Sequence, residues 1–183
     1  LVLTNIDGAS KWDTSEVTNM GHIFHGASLL TNIDGASKWD TSKVTNMSSM
    51  FYGAGITDID ALETKQYEGN DYVSWDTSSV TSMYYMFCDA SSLTNIDGAA
   101  NWNTANVTDM LRMFDGASSL TNIDGAANWS TSRITTMIDM FYGASSLTNI
   151  DGASEWDTSN VTSMARMFWK ASSLTDIDGA AKW

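Results

Sequence analysis

The sequence predicts a repeat solenoid, a right-handed stack of about seven similar coils, and three recurrences carry that expectation. The word Leu-Thr-Asn-Ile-Asp-Gly-Ala starts at Leu3, Leu30, Leu93, Leu120 and Leu147, with variants at Ile56 and Leu174, at steps of 27, 26, 37, 27, 27 and 27 residues. Trp12, Trp39, Trp75, Trp102, Trp129, Trp156 and Trp183 keep the same step, apart from one interval of 36. The line Val-Thr-x-Met-x-x-Met-Phe recurs, with single replacements, from Val17, Val44, Val80, Val107, Ile134 and Val161. A globular domain has no reason to space identical words evenly. A solenoid does, because each coil buries its apolar side against the next.

Within a coil, taking the second as the example, residues 30–34 come first. Leu30 and Ile33 bracket polar Thr31 and Asn32, and Asp34-Gly35 follows. This pattern predicts a short parallel strand closed by a turn, with the Asp carboxylate accepting backbone N–H groups and Gly adopting a positive φ. Trp39 then plugs the bend, and Asp40, Thr41 or Ser42 caps the segment that follows. In residues 44–54 the apolar Met47, Met50, Phe51 and Ala54 fall at i, i+3, i+4 and i+7, the stripe of a short helical turn. Residues 61–74 hold the extra length of the one irregular interval, so they are expected to form an insertion loop in a single solenoid domain spanning residues 1–183.

These units, of the type Trp-Asp-Thr-Ser-Lys-Val-Thr-Asn-Met-Ser-Ser-Met-Phe-Tyr-Gly-Ala (residues 39–54), resemble the bacterial surface protein 26-residue repeat, a branch of the BspA-like leucine-rich repeats. The resemblance covers all of the chain except the insertion. It implies a leucine-rich-repeat-like coil stack with parallel strands, an extracellular cell-surface location, and a role in adhesion or ligand binding. Both ends of the sequence fall at coil edges and neither carries a cap, which is the expectation for a fragment of a longer array whose partners include its own continuation.

Composition narrows the partners. A formal net charge of −13, from 9 basic and 22 acidic residues, disfavours nucleic acid and anionic membrane, since both are held by Lys and Arg. No apolar run reaches the length of a membrane span, so no membrane insertion is expected of these residues. One cysteine, Cys88, allows no internal disulfide framework. Its position matches Tyr52 and Tyr142 of other coils, so it is expected to point outward.

No catalytic constellation, metal site or cofactor is expected. The Asp ladder (Asp7, Asp34, Asp60, Asp97, Asp124, Asp151, Asp178) lacks a wrapped calcium loop and reads as turn chemistry. The Asp-Thr-Ser triplets recur without a paired histidine, whereas a catalytic site breaks the symmetry once. His22 and His25 stand three apart without a third ligand and read as surface. The Thr column (Thr4, Thr31, Thr57, Thr94, Thr121, Thr148, Thr175) could match a periodic ligand, although threonine also simply favours strands.

The letters that change from coil to coil are the informative ones. Between the fixed Met and Phe they run Gly21-His22, Ser48-Ser49, Tyr84-Tyr85, Leu111-Arg112, Ile138-Asp139 and Ala165-Arg166, and after the Phe they run His25, Tyr52, Cys88, Asp115, Tyr142 and Trp169. Drift at exposed sites favours Lys, Glu and Ser, yet these positions hold Tyr, Trp, His and Arg, the residues enriched at binding hot spots. The expected ligand-binding residues are therefore Tyr52, Tyr84, Tyr85, Arg112, Tyr142, Arg166 and Trp169. The expected function is an adhesin module binding a protein or glycan on a host or neighbouring cell, with a structural stalk or surface-layer spacer as the alternative.

Overall fold

The fixed apolar letters of each coil turn inward and meet the same letters of the next. In the computed structural model, which describes residues 2–183, Val44, Met47, Met50, Phe51, Ala54, Ile56 and Ile59 are all buried, and the equivalent columns of the other interior coils are buried with them. They form one continuous core from Ile6 to Met167. At about 1.5–3 kcal/mol for each large side chain removed from water, several such residues per coil are needed to offset the ordering of its backbone.

Aromatic residues give this core its period. Phe51, Phe87, Phe114 and Phe141 stack at centroid separations of 5.6 Å with their planes within 6° of parallel. The tryptophans form a second stack, with neighbouring ring centroids 5.7–6.5 Å apart. From Trp39 onward the indoles also tie coils together: Trp39 Nε1 donates to the Ala9 carbonyl (2.9 Å), Trp75 to Ala36 (2.8 Å), Trp102 to Leu62 (2.9 Å) and Trp129 to Ala99 (3.1 Å). A buried N–H without such a partner would be costly, and for each of the buried indoles the preceding coil supplies one.

The repeat solenoid is therefore present, but two of its expected elements are not. The words at 30–34 and 147–151 are not strands, and among the described residues no strand forms. Neighbouring coils are joined by isolated parallel bridges, at a different place: Asn19 with Asn46, Asn46 with Ser82, Ser82 with Asp109, and Thr136 with Ser163. From Thr57 to Thr175, successive Leu-Thr-Asn-Ile words and their variants meet at this threonine through one backbone bond each, such as Thr121 N–H to the Thr94 carbonyl (3.0 Å). The chain turns too soon after each contact for a ladder to extend.

The predicted helical turn at 44–54 is also replaced. Its N–H groups alternate between partners: Met47, Ser49, Phe51 and Gly53 donate to Ser82, Tyr84, Met86 and Cys88 of the next coil, while Met50, Tyr52 and Ala54 donate three residues back. Such a ribbon of successive turns needs left-handed residues, and Ser49 (φ 54°) and Gly53 (φ 61°) supply them. The apolar spacing that suggested a helix is satisfied, because the ribbon also returns a side chain to the core every three to four residues. Among the described residues, helical turns occur elsewhere in the coil, as seven 3-10 turns at the Asp-Gly-Ala words and the Asp60–Leu62 variant, from Asp7–Lys11 to Asp178–Ala180.

Those turns correct two further details. The Asp side chain does not accept the local N–H; the residue two before it does, as Asn32 Oδ1 accepts from Asp34 N (2.7 Å) and Asn95 Oδ1 from Asp97 N (3.0 Å). Glycine is present for contact rather than for φ, since a Cβ on Gly35 would lie 1.9 Å from the Ile6 carbonyl oxygen. In the insertion, Lys65 pairs with Ser74, Ser74 bridges back to Asp40, and Tyr72 donates to the Lys38 carbonyl, so the extra residues lie against the second coil.

Candidate functional site

The changing letters line up as adjoining columns along the turn ribbon. One runs His22, Ser49, Tyr85, Arg112, Asp139, Arg166, every member of which has a positive φ between 54° and 62°. A left-handed backbone at these residues projects each side chain away from the apolar columns. Three positions on lies the column of His25, Tyr52, Cys88, Asp115, Tyr142 and Trp169.

The structure brings six of the seven predicted site residues into these two columns and places Tyr84 one position before Tyr85, with different degrees of exposure. Arg166 and Trp169 are exposed; Tyr52, Tyr84, Tyr85, Arg112 and Tyr142 are half-buried. The rings are partly covered because they stack on one another. His25 lies on Tyr52 (4.6 Å), Tyr52 on Tyr85 (6.1 Å), Tyr84 against Tyr85 (4.1 Å) and Tyr142 on Trp169 (6.5 Å). Trp169, in the last complete ribbon, has a neighbour on one side only and keeps 58% of its surface.

Between the two aromatic groups sits a charged cluster. Asp139, 1% exposed, accepts from Arg112 Nε (3.0 Å) and from Arg166 Nε (2.8 Å) and Nη2 (2.6 Å). The Arg166 hydrogen bonds hold the Asp139 carboxyl below the usual carboxylate range. Arg112 also lies over the Tyr85 ring at 5.5 Å and within 3.8 Å of Asp115, whose carboxyl is pushed up by burial. Together Arg112, Asp115, Asp139, Tyr142 and Arg166 line a polar notch of about 250 Å³. Sequence reasoning singled out the two arginines and missed the acid that orients them. The signal was there, since Arg, Asp and Arg follow one another in a single column at 27-residue steps.

Cys88 departs from its expected place. It is 3% exposed rather than outward, and burial together with Asp89 and Asp115 pushes its thiol up to about 12. A cysteine is smaller than the Tyr of other coils, so it sinks between its neighbours in the column. Tyr52 is likewise raised to about 12, chiefly by a hydrogen bond with Asp89. Neither group has the activated form that a nucleophile requires.

The other regular surfaces carry structural bonds. The threonine column is exposed, and each hydroxyl from Thr94 to Thr175 donates to the threonine carbonyl of the coil before it, at 3.0–3.4 Å. Asp40 Oδ1 accepts from Ser42 N (3.0 Å) and Oγ (2.6 Å), the turn-capping role expected of the Asp-Thr-Ser triplet. Among the described residues no three His, Cys, Asp or Glu side chains converge on a metal position, and no helix is long and apolar enough to cross a membrane.

A family model described as "Mycoplasma protein of unknown function, DUF285" matches this chain twice, over residues 3–95 and 94–183. No curated protein and no solved structure gives a significant match. The two matches meet near the middle of the coil stack and account for almost every coil between them, which is the pattern of a protein built from repeats. The chain belongs to the DUF285 family of repeat proteins.

Proposed function

We propose that this chain is an extracellular, cell-surface binding module of a bacterial adhesin, related to the BspA-like leucine-rich repeats, and that it holds a protein or glycan partner on the face formed by its changing letters. One observation carries the reading: the positions free to vary between coils are occupied by Tyr84, Tyr85, Arg112, Tyr142, Arg166 and Trp169, side by side on one ribbon. Stacked rings and paired guanidinium groups are held in place before a ligand arrives, so little entropy is lost on contact. Arg112 and Arg166 are largely matched by Asp139 and Asp115, which suits a partner of hydroxyls and amides better than a strongly anionic one.

A stalk or spacer is the second reading, and the same ring stacks favour it, because side chains that pack on each other between coils also stiffen an array. Probing arrays of glycans and of cell-surface proteins with this chain separates the two. A binding module gives reproducible, saturable signals on a related set of ligands. Signal on none of them would favour the spacer.

A further inference from the structure

The chain has two histidines, and the fold places both in the first coil of the variable columns. His22 Nδ1 and His25 Nδ1 lie 3.4 Å apart on exposed side chains, with the rings inclined at 45°. As a hydrogen bond this contact is poor, being longer than the usual 2.7–3.2 Å range for nitrogen donors. As an edge of a coordination tetrahedron it fits: with Zn–N distances of about 2.0–2.1 Å, two imidazole nitrogens on one zinc ion stand about 3.3 Å apart.

The backbone under both rings is fixed, and one of the two rings is backed. The His22 backbone is fixed at φ 62° and its N–H donates to the Ser48 carbonyl (3.0 Å), while His25 N–H closes the turn onto the His22 carbonyl (3.1 Å). The His25 ring is backed by Tyr52, with centroids 4.6 Å apart and planes within 14°. A net charge of −13 raises the local concentration of divalent cations around the whole molecule. Imidazole selects transition metals over calcium and magnesium, which prefer oxygen.

We propose that His22 and His25 form a two-histidine transition-metal site of the tetrahedral zinc type, with two coordination positions left for water or for a ligand group on a partner. The site does not depend on the adhesin reading. It adds a metal-bridged contact at one end of the same columns if that reading holds, and it stands alone if it does not.

Titration calorimetry of the intact chain with ZnCl2 tests it, together with imidazole NMR shifts of both histidines. The expected result is one saturable equivalent of Zn²⁺, with both imidazoles shifting in step. His22→Asn keeps a residue tolerant of positive φ, and His25→Tyr installs the residue that Tyr52 and Tyr142 provide elsewhere, so both variants keep the fold. Loss of an outer partner alone costs a metal site about 10–100-fold, so loss of either ligand should leave no measurable one-to-one binding. Zinc binding that survives in either variant would assign it to the carboxylates and overturn the proposal, as would the absence of saturable binding to the unaltered chain.

Discussion

The indole rings of Trp102 and Trp129 lie parallel to within 1°, with centroids 6.3 Å apart, and Trp129 donates its Nε1–H to the carbonyl of Ala99, three residues before Trp102. One residue type thus fills the bend, sets the spacing between coils and satisfies its own buried donor. Trp129→Phe removes the donor together with the pyrrole half of the indole, leaving the Ala99 carbonyl with the Trp102 N–H alone and a small void at the bend. An expected loss of about 1–3 kcal/mol would be read as a lower denaturant midpoint at unchanged m-value.

Coil-to-coil approach is closest at the Asp-Gly-Ala words, where a Cβ on Gly125 would lie 2.0 Å from the Ile96 carbonyl oxygen, whereas one on Gly8 would meet nothing within 4 Å. Gly125→Ala should therefore force two coils apart and cost at least about 3 kcal/mol, while Gly8→Ala should stay within about 0.5 kcal/mol of the parent. Equal effects in thermal unfolding would mean that the glycine serves backbone freedom rather than contact.

The glycine shows where sequence reading succeeds and where it stops. The period, the number of coils and nearly all inward residues were legible because apolar letters at a fixed step have one economical packing, each on its counterpart. Which backbone conformation delivers Met47, Met50, Phe51 and Ala54 to the core was not legible, since a helix and a ribbon of turns return side chains at similar intervals. Ser49, Tyr85 and Arg112 carry no marker of their left-handed φ, which a glycine would have given. The strand expectation for 30–34 failed for a related reason: apolar spacing reports which side chains face in, and only the neighbouring coil decides how many backbone bonds form. At the candidate site the residue types were readable, while the pairing of Arg112 and Arg166 through Asp139 needed the coils to be stacked.

That pairing makes a pH prediction. The Asp139 carboxyl titrates below its unfolded value because the arginines favour its charged form, so its contribution is complete above the ordinary aspartate range of about 4. It is lost as the pH falls through the lowered folded value. Asp115, raised by burial, works in the opposite direction and gains stability on protonation. Asp139→Asn should cost about 1–3 kcal/mol at neutral pH, and the gap between variant and parent should close in acid. A gap that stays constant with pH would contradict the ion-pair account.

Cys88 should be inert in the folded chain. With 3% of its surface exposed and its thiol raised to about 12, labelling by a thiol reagent should require opening of the coil stack. Tyr52→Ala, which uncovers one side of that column, should speed labelling by about tenfold or more, on the order of 1.4 kcal/mol in the opening equilibrium. Rapid labelling of the unaltered chain at neutral pH would place the sulfur at the surface after all.

The insertion should be dispensable. Removing residues 64–73 restores the spacing between Asp60 and Trp75 to that between Asp34 and Trp39. It leaves the buried Leu62 and Trp75 in place. Single, cooperative unfolding should persist, with a stability change of no more than about 2 kcal/mol from the lost contacts to the second coil. Two separate transitions, or loss of cooperativity, would show that the segment is part of the core.

The claim that the changing letters form a binding face is tested most directly by comparing two sets of substitutions on whichever array ligand binds this chain. One replaces Tyr84, Tyr85 and Trp169 with Ser, a residue that Ser48 and Ser49 already carry at the first two of these positions. The other replaces Thr94, Thr121 and Thr148 with Ser, preserving the hydroxyls that donate to the preceding coils. The account predicts that the first set abolishes binding while moving the thermal midpoint by no more than about 4 °C, roughly 1 kcal/mol for a chain of this size, and that the second leaves binding intact. Binding that survives the aromatic set and disappears with the threonine set would contradict it.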